Sequence, residues 1–414
     1  MIDKSTPGGI ILVVADTMQK DSPPDRGRKR RILCFTSYFL PGFKSGGPLR
    51  SLLHLQEWLR DEYEFWLVTR NRDLGDEVPY AAVATRQWLP VGNARVWYLS
   101  APHWLPGPIR RALREAQPDL LYFHSSFDFC LTIVPLLMRR FGLLPRRIPV
   151  LIAPRGEFSE GARSIKQLKK NVFLFFARAL DLYGNVTWHA TKDEEAAQIR
   201  ALWGDRVRVA IAPNLPSRIF SEVQTNRQPK QPGALRLVFL SRISRMKNLD
   251  GALQMLSGVT VPVTFDIYGT REDPAYWAEC SQLIDKLPAN VVGTYRGVVP
   301  PEAVLPTLAG YDAFLLPTLG ENFGHVILEA LLAGCPVVLS DRTPWRNLAA
   351  SRAGFDLGLD QPARFQQAIE RLAVMGAEEF TAWSGSARAF GLQYSNNPEL
   401  VAQTRSMLAA ALLT

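Results

Sequence analysis

Residues Leu316–Ser340 read LPTLGENFGHVILEALLAGCPVVLS. A β-rich run ends at Leu316, and a Gly-containing loop leads into a helical pattern starting near Asn322–Gly324. A second strand pattern follows from Pro336 to Leu339. Strand, helix and strand in so short a span are the repeating unit of a parallel sheet covered by helices.

The same alternation extends to both sides. In the second half, Leu235–Leu240, Val263–Tyr268, Val291–Arg296 and Ala313–Leu316 read as strands with helices between them. In the first half, Arg31–Ser37, Glu64–Thr69, Asp119–His124, Ile148–Ala153 and Val186–His189 read the same way. Between the halves, Ala212–Gly233 is polar and punctuated by proline, as linkers are. The pattern therefore predicts an α/β chain of two domains, 31–215 and 234–385, after a polar, basic leader at 1–30. Its 414 residues suffice for two cores. The tail after Phe380 is helical, and Leu400–Leu413 is amphipathic.

Composition excludes several classes. The chain is 47% hydrophobic and 21% charged, so it is not disordered. No run approaches the roughly 18 apolar residues a membrane helix needs. Cys34, Cys130, Cys280 and Cys335 show no CxxC spacing, which fits neither a disulfide framework nor a zinc site and suits a reducing cytosol. The net charge of +9 allows nucleic acid, an anionic membrane surface or an anionic substrate.

In parallel sheets ligands gather at the carboxyl ends of strands. After the first strand comes Pro41–Pro48, PGFKSGGP, whose Gly46 and Gly47 let backbone N–H groups approach a phosphate, or form a mobile loop. After the first strand of the second half, Arg242 and Lys247 stand five apart, either converging on a diphosphate with Asn248 capping the helix or forming a solvated basic loop. Glu321 lies at the positive end of its helix and can accept hydrogen bonds from sugar hydroxyls. Glu329 sits among apolar helix neighbours and needs a partner or a wet cleft, unless it faces solvent. His124 and Arg155 follow strands of the first half, with His189 and Asp128 as weaker candidates. A lone histidine there is as readily structural as catalytic.

Glu321–Glu329 resembles the E-x7-E motif of retaining, nucleotide-sugar-dependent glycosyltransferases of GT-B fold, specifically glycosyltransferase family 4. Arg242 to Lys247 resembles that family's R-x4-K clamp, and Gly46-Gly47 its N-terminal glycine loop. The runs PGFKSGGPLRS and APRGEFSEGARSIKQLKK are similar to a bacterial branch that builds surface polysaccharides. The resemblance covers most of residues 31–400. It implies two Rossmann-like domains facing across a cleft, and a helix at 386–414 crossing back to the first.

By the same resemblance, Arg242 and Lys247 neutralise the departing diphosphate of a UDP- or GDP-sugar. Glu321 with Asn322, Phe323 and Gly324 holds the sugar, and Glu329 the ribose. Gly47 reaches the phosphates, and Arg296, Gly297 and Val298 hold the base. His124 is a catalytic or sugar-contacting residue, and Arg155 contacts phosphate of donor or acceptor. The acceptor is a glycan or lipid-linked saccharide. No D-x-D occurs, so no metal and no cofactor is expected.

The rivals are another GT-B enzyme such as a nucleotide-sugar 2-epimerase, and a non-catalytic GT-B scaffold. A dehydrogenase lacks its G-x-G-x-x-G. Ten Lys/Arg and two acids lie between Arg139 and Arg178, beside Phe173, Phe175 and Phe176. That reads as an element for an anionic membrane surface, or as a core helix with a solvated basic face. Nucleic acid fits poorly, since no recognition motif accompanies the charge. The expected location is cytoplasmic, or peripheral on the inner face of the cytoplasmic membrane.

Overall fold

The computed structural model describes residues 28–102, 105–158, 167–218 and 228–414. The leader up to residue 27 and linker residues 219–227 lie outside them. The first domain runs β1 (Arg30–Phe35), α1 (Gly47–Leu59), β2 (Tyr63–Arg70), β3 (Trp88–Val91), β4 (Ala94–Leu99), α2 (Pro106–Ala116) and β5 (Leu120–Phe123). A π-turn over Phe129–Ile133 continues as α3 (Val134–Arg140), then β6 (Val150–Ile152), α4 (Gln167–Ala179), β7 (Thr187–Ala190), α5 (Asp193–Trp203) and β8 (Arg208–Ile211).

The sheet order is β3-β4-β2-β1-β5-β6-β7-β8, parallel except for β3 against β4. The chain leaves β1 toward β2 and later returns to place β5 on the other side of β1. The loops after β1 and β5 therefore flank a topological switch point, where a crevice opens.

The second domain repeats the plan: β9 (Leu235–Leu240), a 3-10 turn at Arg245–Lys247, α6 (Leu249–Leu256), β10 (Val263–Tyr268), α7 (Pro274–Ile284), β11 (Val291–Gly297) and α8 (Pro301–Ala309). Then come β12 (Ala313–Leu316), α9 (His325–Leu332), β13 (Val337–Ser340) and β14 (Gly354–Leu357). Its order, β11-β10-β9-β12-β13-β14, puts the switch point between β9 and β12. The loops holding Arg242–Lys247 and Glu321–Gly324 are the two that leave those strands. Both domains are Rossmann-like, and the two-domain α/β fold read from the sequence is the fold observed.

Three helices close the chain: α10 (Pro362–Val374), α11 (Ala377–Ser395) and α12 (Pro398–Leu412). Phe380 and Ala387 of α11 are buried in the second-domain core. On α12, Leu400, Val401, Met407, Leu408 and Ala411 form a one-sided stripe buried with Ile32, Cys34 and Tyr122 of the first sheet. At roughly 1.5–3 kcal/mol for each large apolar side chain, that burial holds α12 on the first domain. The chain changes domain between α11 and α12, at Asn396–Asn397; a boundary set at 386 would divide α11.

Candidate active site

A cavity of about 1410 Å³ lies between the domains. Its first-domain wall includes Gly46, Gly47, Arg50, Ser51 and Arg155, and its second-domain wall Arg242, Lys247, Val298, Glu321–Gly324, His325 and Glu329.

Two helices point their N-termini into it. α1 starts at Gly47 after Gly46 (φ 64°), and α9 starts at His325 after Gly324 (φ 78°). Both glycines sit in the left-handed region, where a Cβ would be strained. Neither helix has a side-chain cap. Their first N–H groups, with the positive dipole ends, are thus free to serve a ligand, and an anion suits both.

The Arg242–Asn248 loop is stitched to the loop after β12. Asn248 Nδ2 donates to Pro317 O (2.8 Å), Thr318 Oγ1 to Met246 O (2.8 Å), and Leu319 N–H to Met246 O (2.9 Å). Asn248 stands at the start of α6 in a left-handed conformation with no capping side-chain bond. Its amide is used for the stitch, which corrects its reading as a cap. Lys247 Nζ donates to Glu321 Oε2 (2.5 Å), and Arg242 Nη1 to both oxygens of Glu272 (3.0 and 3.2 Å). Burial raises the Glu321 carboxyl. The Lys247 ammonium and the N–H groups of Phe323 and Asn322 outweigh it, so the pKa is lowered and the group is a carboxylate at neutral pH.

Glu329 is paired with Arg50, on the facing helix of the other domain, and does not face solvent. Next to that pair, Ser51 Oγ donates to Gly47 O (3.0 Å) and so accepts from His325 Nε2 (2.9 Å). His325 Nδ1 is left as an acceptor without a partner. Burial, followed by the His54, Arg50 and Arg155 charges, pushes the His325 pKa well below its ordinary value. A third contact joins Asn322 Nδ2 to Glu195 Oε1 (3.0 Å). Buried Glu195 also accepts from Gly156 N–H (2.7 Å) and from Thr191 N–H and Oγ1 (both 2.7 Å).

Arg155 has φ 55°, an uncommon left-handed conformation for a bulky residue. Its guanidinium donates to Asn214 Oδ1 and to His124 Nδ1 (2.9 Å), and no carboxylate pairs with it among the described residues. It is a cation on the cavity wall held by neutral groups.

Several candidates lie elsewhere. His124 is buried behind Arg155 and does not line the cavity. Burial and the Arg155 charge hold it neutral, and its Nδ1 lone pair is used by Arg155, so it positions that guanidinium. Arg296 turns away to Asp266 Oδ1 (3.0 Å), and Gly297 accepts from Gly269 N–H (2.8 Å), so neither lines the cavity, whereas Val298 does. His189 is a core residue between Tyr122 OH (2.5 Å) and Ala212 O (2.7 Å). Asp128 accepts from Arg70 (2.7 Å), Leu131 N–H (2.8 Å) and Ser37 Oγ, which makes it a helix cap. The sequence reading missed Arg50, Ser51, His325 and Glu195. Among the described residues no group of three His, Cys, Asp or Glu is placed to hold a metal ion.

Two Rossmann-like domains with a cavity between their switch points define the GT-B fold. Residues 46–214 match the family model described as a glycosyl transferase 4-like domain, and residues 234–374 the model for glycosyl transferases group 1. Each match takes in less than half of the chain: the two domains resemble the two domains of glycosyl transferases, on a GT-B fold.

It is 30% identical over 112 residues to O-antigen chain mannosyltransferase B of Escherichia coli, covering 26% of this chain and 28% of that protein. It is 25% identical over 292 residues to sulfoquinovosyl transferase SQD2 of Arabidopsis thaliana, covering 64% and 53%. The chain thus spans about a quarter and about half of these relatives (28% and 53%). The solved structure of Anabaena Alr3699/HepE with UDP and glucose superposes with a TM-score of 0.64 at 16% identity, covering 92% of this chain and all (100%) of that one, a likeness of fold.

Proposed function

We propose that this protein is a retaining glycosyltransferase of family 4 that moves a hexose from a UDP- or GDP-sugar to a glycan or lipid-linked saccharide in bacterial surface-polysaccharide assembly. The observation that carries the reading is the convergence of Arg242, Lys247 and two uncapped helix N-termini on one cavity beside the Glu321 carboxylate. Departure of a nucleoside diphosphate builds negative charge on phosphate. Preorganised donors are worth about 3–4 kcal/mol each where such charge develops. Glu272 and Glu321 hold the two cations in place, and phosphate oxygens take over from them when the donor binds.

The Asn322–Gly324 backbone and Glu321 hold the sugar, and Glu329, with its unpartnered Oε2, takes the ribose. Val298 packs near the base, and the first domain supplies the acceptor. The relatives named above act on mannosyl and sulfoquinovosyl groups, and the solved neighbour holds UDP and glucose, which supports a nucleotide-sugar donor. Nucleotide release from a panel of UDP- and GDP-sugars tests this. Lys247→Ala and Glu321→Ala are each expected to lower release about 100-fold or more. Unchanged release in both would overturn the site. The anomeric configuration of the product, read by NMR, tests retention.

A further inference from the structure

Outside the cleft, one part of the first domain combines exposed aromatics with arginines that have no carboxylate partner among the described residues. Phe129, Phe141, Leu143, Phe175, Phe176 and Leu180, on α3, α4 and the turns around them, are all exposed, Phe141 and Phe175 at 68%. The ends of α3 and α4 are joined by Arg140 Nε, which donates to Leu180 O (2.9 Å), and Arg146 donates to Arg140 O, so Phe141, Leu180 and these arginines lie together; on α4 the rings of Phe175 and Phe176 are 5.5 Å apart.

Among the described residues, Arg139, Arg140 and Arg146 donate to backbone carbonyls, and Arg178 donates to Leu202 O and lies over Trp203. None of these, nor exposed Arg147, has a carboxylate partner among the described residues. Glu157 is turned inward to Ser125 and Ser126. Arg163, Lys166, Glu160 and the side chains of Lys169 and Lys170 lie outside what is described.

We propose that this part of the first domain docks on an anionic lipid leaflet. Aromatic side chains exposed to water gain by entering the interface, and arginines beside them meet lipid phosphates. Docking there goes beyond the proposed function and does not rest on it.

The test is sedimentation of the full chain, without substrate, with phosphatidylcholine vesicles that contain or lack about one-third phosphatidylglycerol, at about 0.05 M salt. Wild type is expected to bind the anionic vesicles at least about tenfold more tightly than the neutral ones. The triple variant Phe141→Ser, Phe175→Ser, Phe176→Ser and the triple variant Arg140→Gln, Arg146→Gln, Arg147→Gln are each expected to lose about tenfold, with nucleotide release unchanged. No wild-type sedimentation overturns the proposal. So does loss in the arginine variant alone, which would mark a charge-only contact such as RNA offers. Vesicle binding is read without donor, so its failure leaves the glycosyltransferase reading standing, and the reverse holds too.

Discussion

Arg50, in the first turn of α1, is ion-paired with Glu329, in the second turn of α9, across the boundary between the domains. Both side chains are about four-fifths buried, at 19% and 23% exposure. Burial lowers the Arg50 pKa to about 10, which leaves it charged at neutral pH. Removing one partner strands a largely buried charge, whereas removing both does not. Arg50→Met and Glu329→Gln are each expected to cost about 1–3 kcal/mol in urea unfolding, and the double variant about 1 kcal/mol less than their sum. Strict additivity would show that the pair does not couple the domains.

Glu321 gives the stability an acid dependence of known sign. Its folded pKa is depressed, so its contribution is present above the unfolded carboxylate value, about 4.3, and is lost as pH falls through the lower folded value. Wild type should therefore lose stability on acidification more steeply than Glu321→Gln, read as the urea midpoint against pH. Parallel curves would contradict the Lys247–Glu321 pairing.

The described histidines make the opposite kind of prediction. His54 is lowered to about 4 and His189 to about 3, chiefly by burial, and His124 and His325 lie well below their ordinary value. All four are neutral from mildly acidic pH upward. Nucleotide release should show no ionisation near pH 6.5 that disappears in His124→Asn or His325→Asn. An inflection of that kind would mean that one of them titrates in the active protein.

Glu195 accepts four donors, one of them from the opposite domain. Glu195→Gln replaces an acceptor oxygen with an NH2 group facing donors. The expected cost is about 1–3 kcal/mol in stability. Because Glu195 orients the Asn322 amide, the donor KM should also rise severalfold, while Asn322→Ala raises KM with a smaller stability loss. Equal KM in wild type and both variants would limit Glu195 to a structural part.

What the sequence disclosed depends on how far apart the partners lie along the chain. Arg242, Lys247, Glu321 and Gly47 could be found because strand ends and helix starts are local patterns, and sheet order brings such loops together. Arg50–Glu329, Ser51–His325 and Asn322–Glu195 join residues 279, 274 and 127 positions apart, and no periodicity reports such pairings. The acid-rich start of α5 was visible, but not which of Asp193, Glu194 and Glu195 turns inward. Arg296, placed by the resemblance in the loop after its strand, lies within β11, and its side chain reaches Asp266 on β10, away from the cavity. The strands β3, β4, β8 and β14 were missed. β3, β8 and β14 are short edge strands, and β3 tolerates Pro90 because it pairs on one side only.

The return of α12 to the first sheet gives the two domains a second covalent crossing, at Asn396–Asn397, in addition to the linker before β9. A body tethered at one point can swivel in any direction, whereas one tethered at two turns only about the line joining them. Two crossings leave the domains fewer ways to move apart than one, and rotation about the line that joins the crossings strains the chain least, so α1 and α9 stay on facing sides of the cleft.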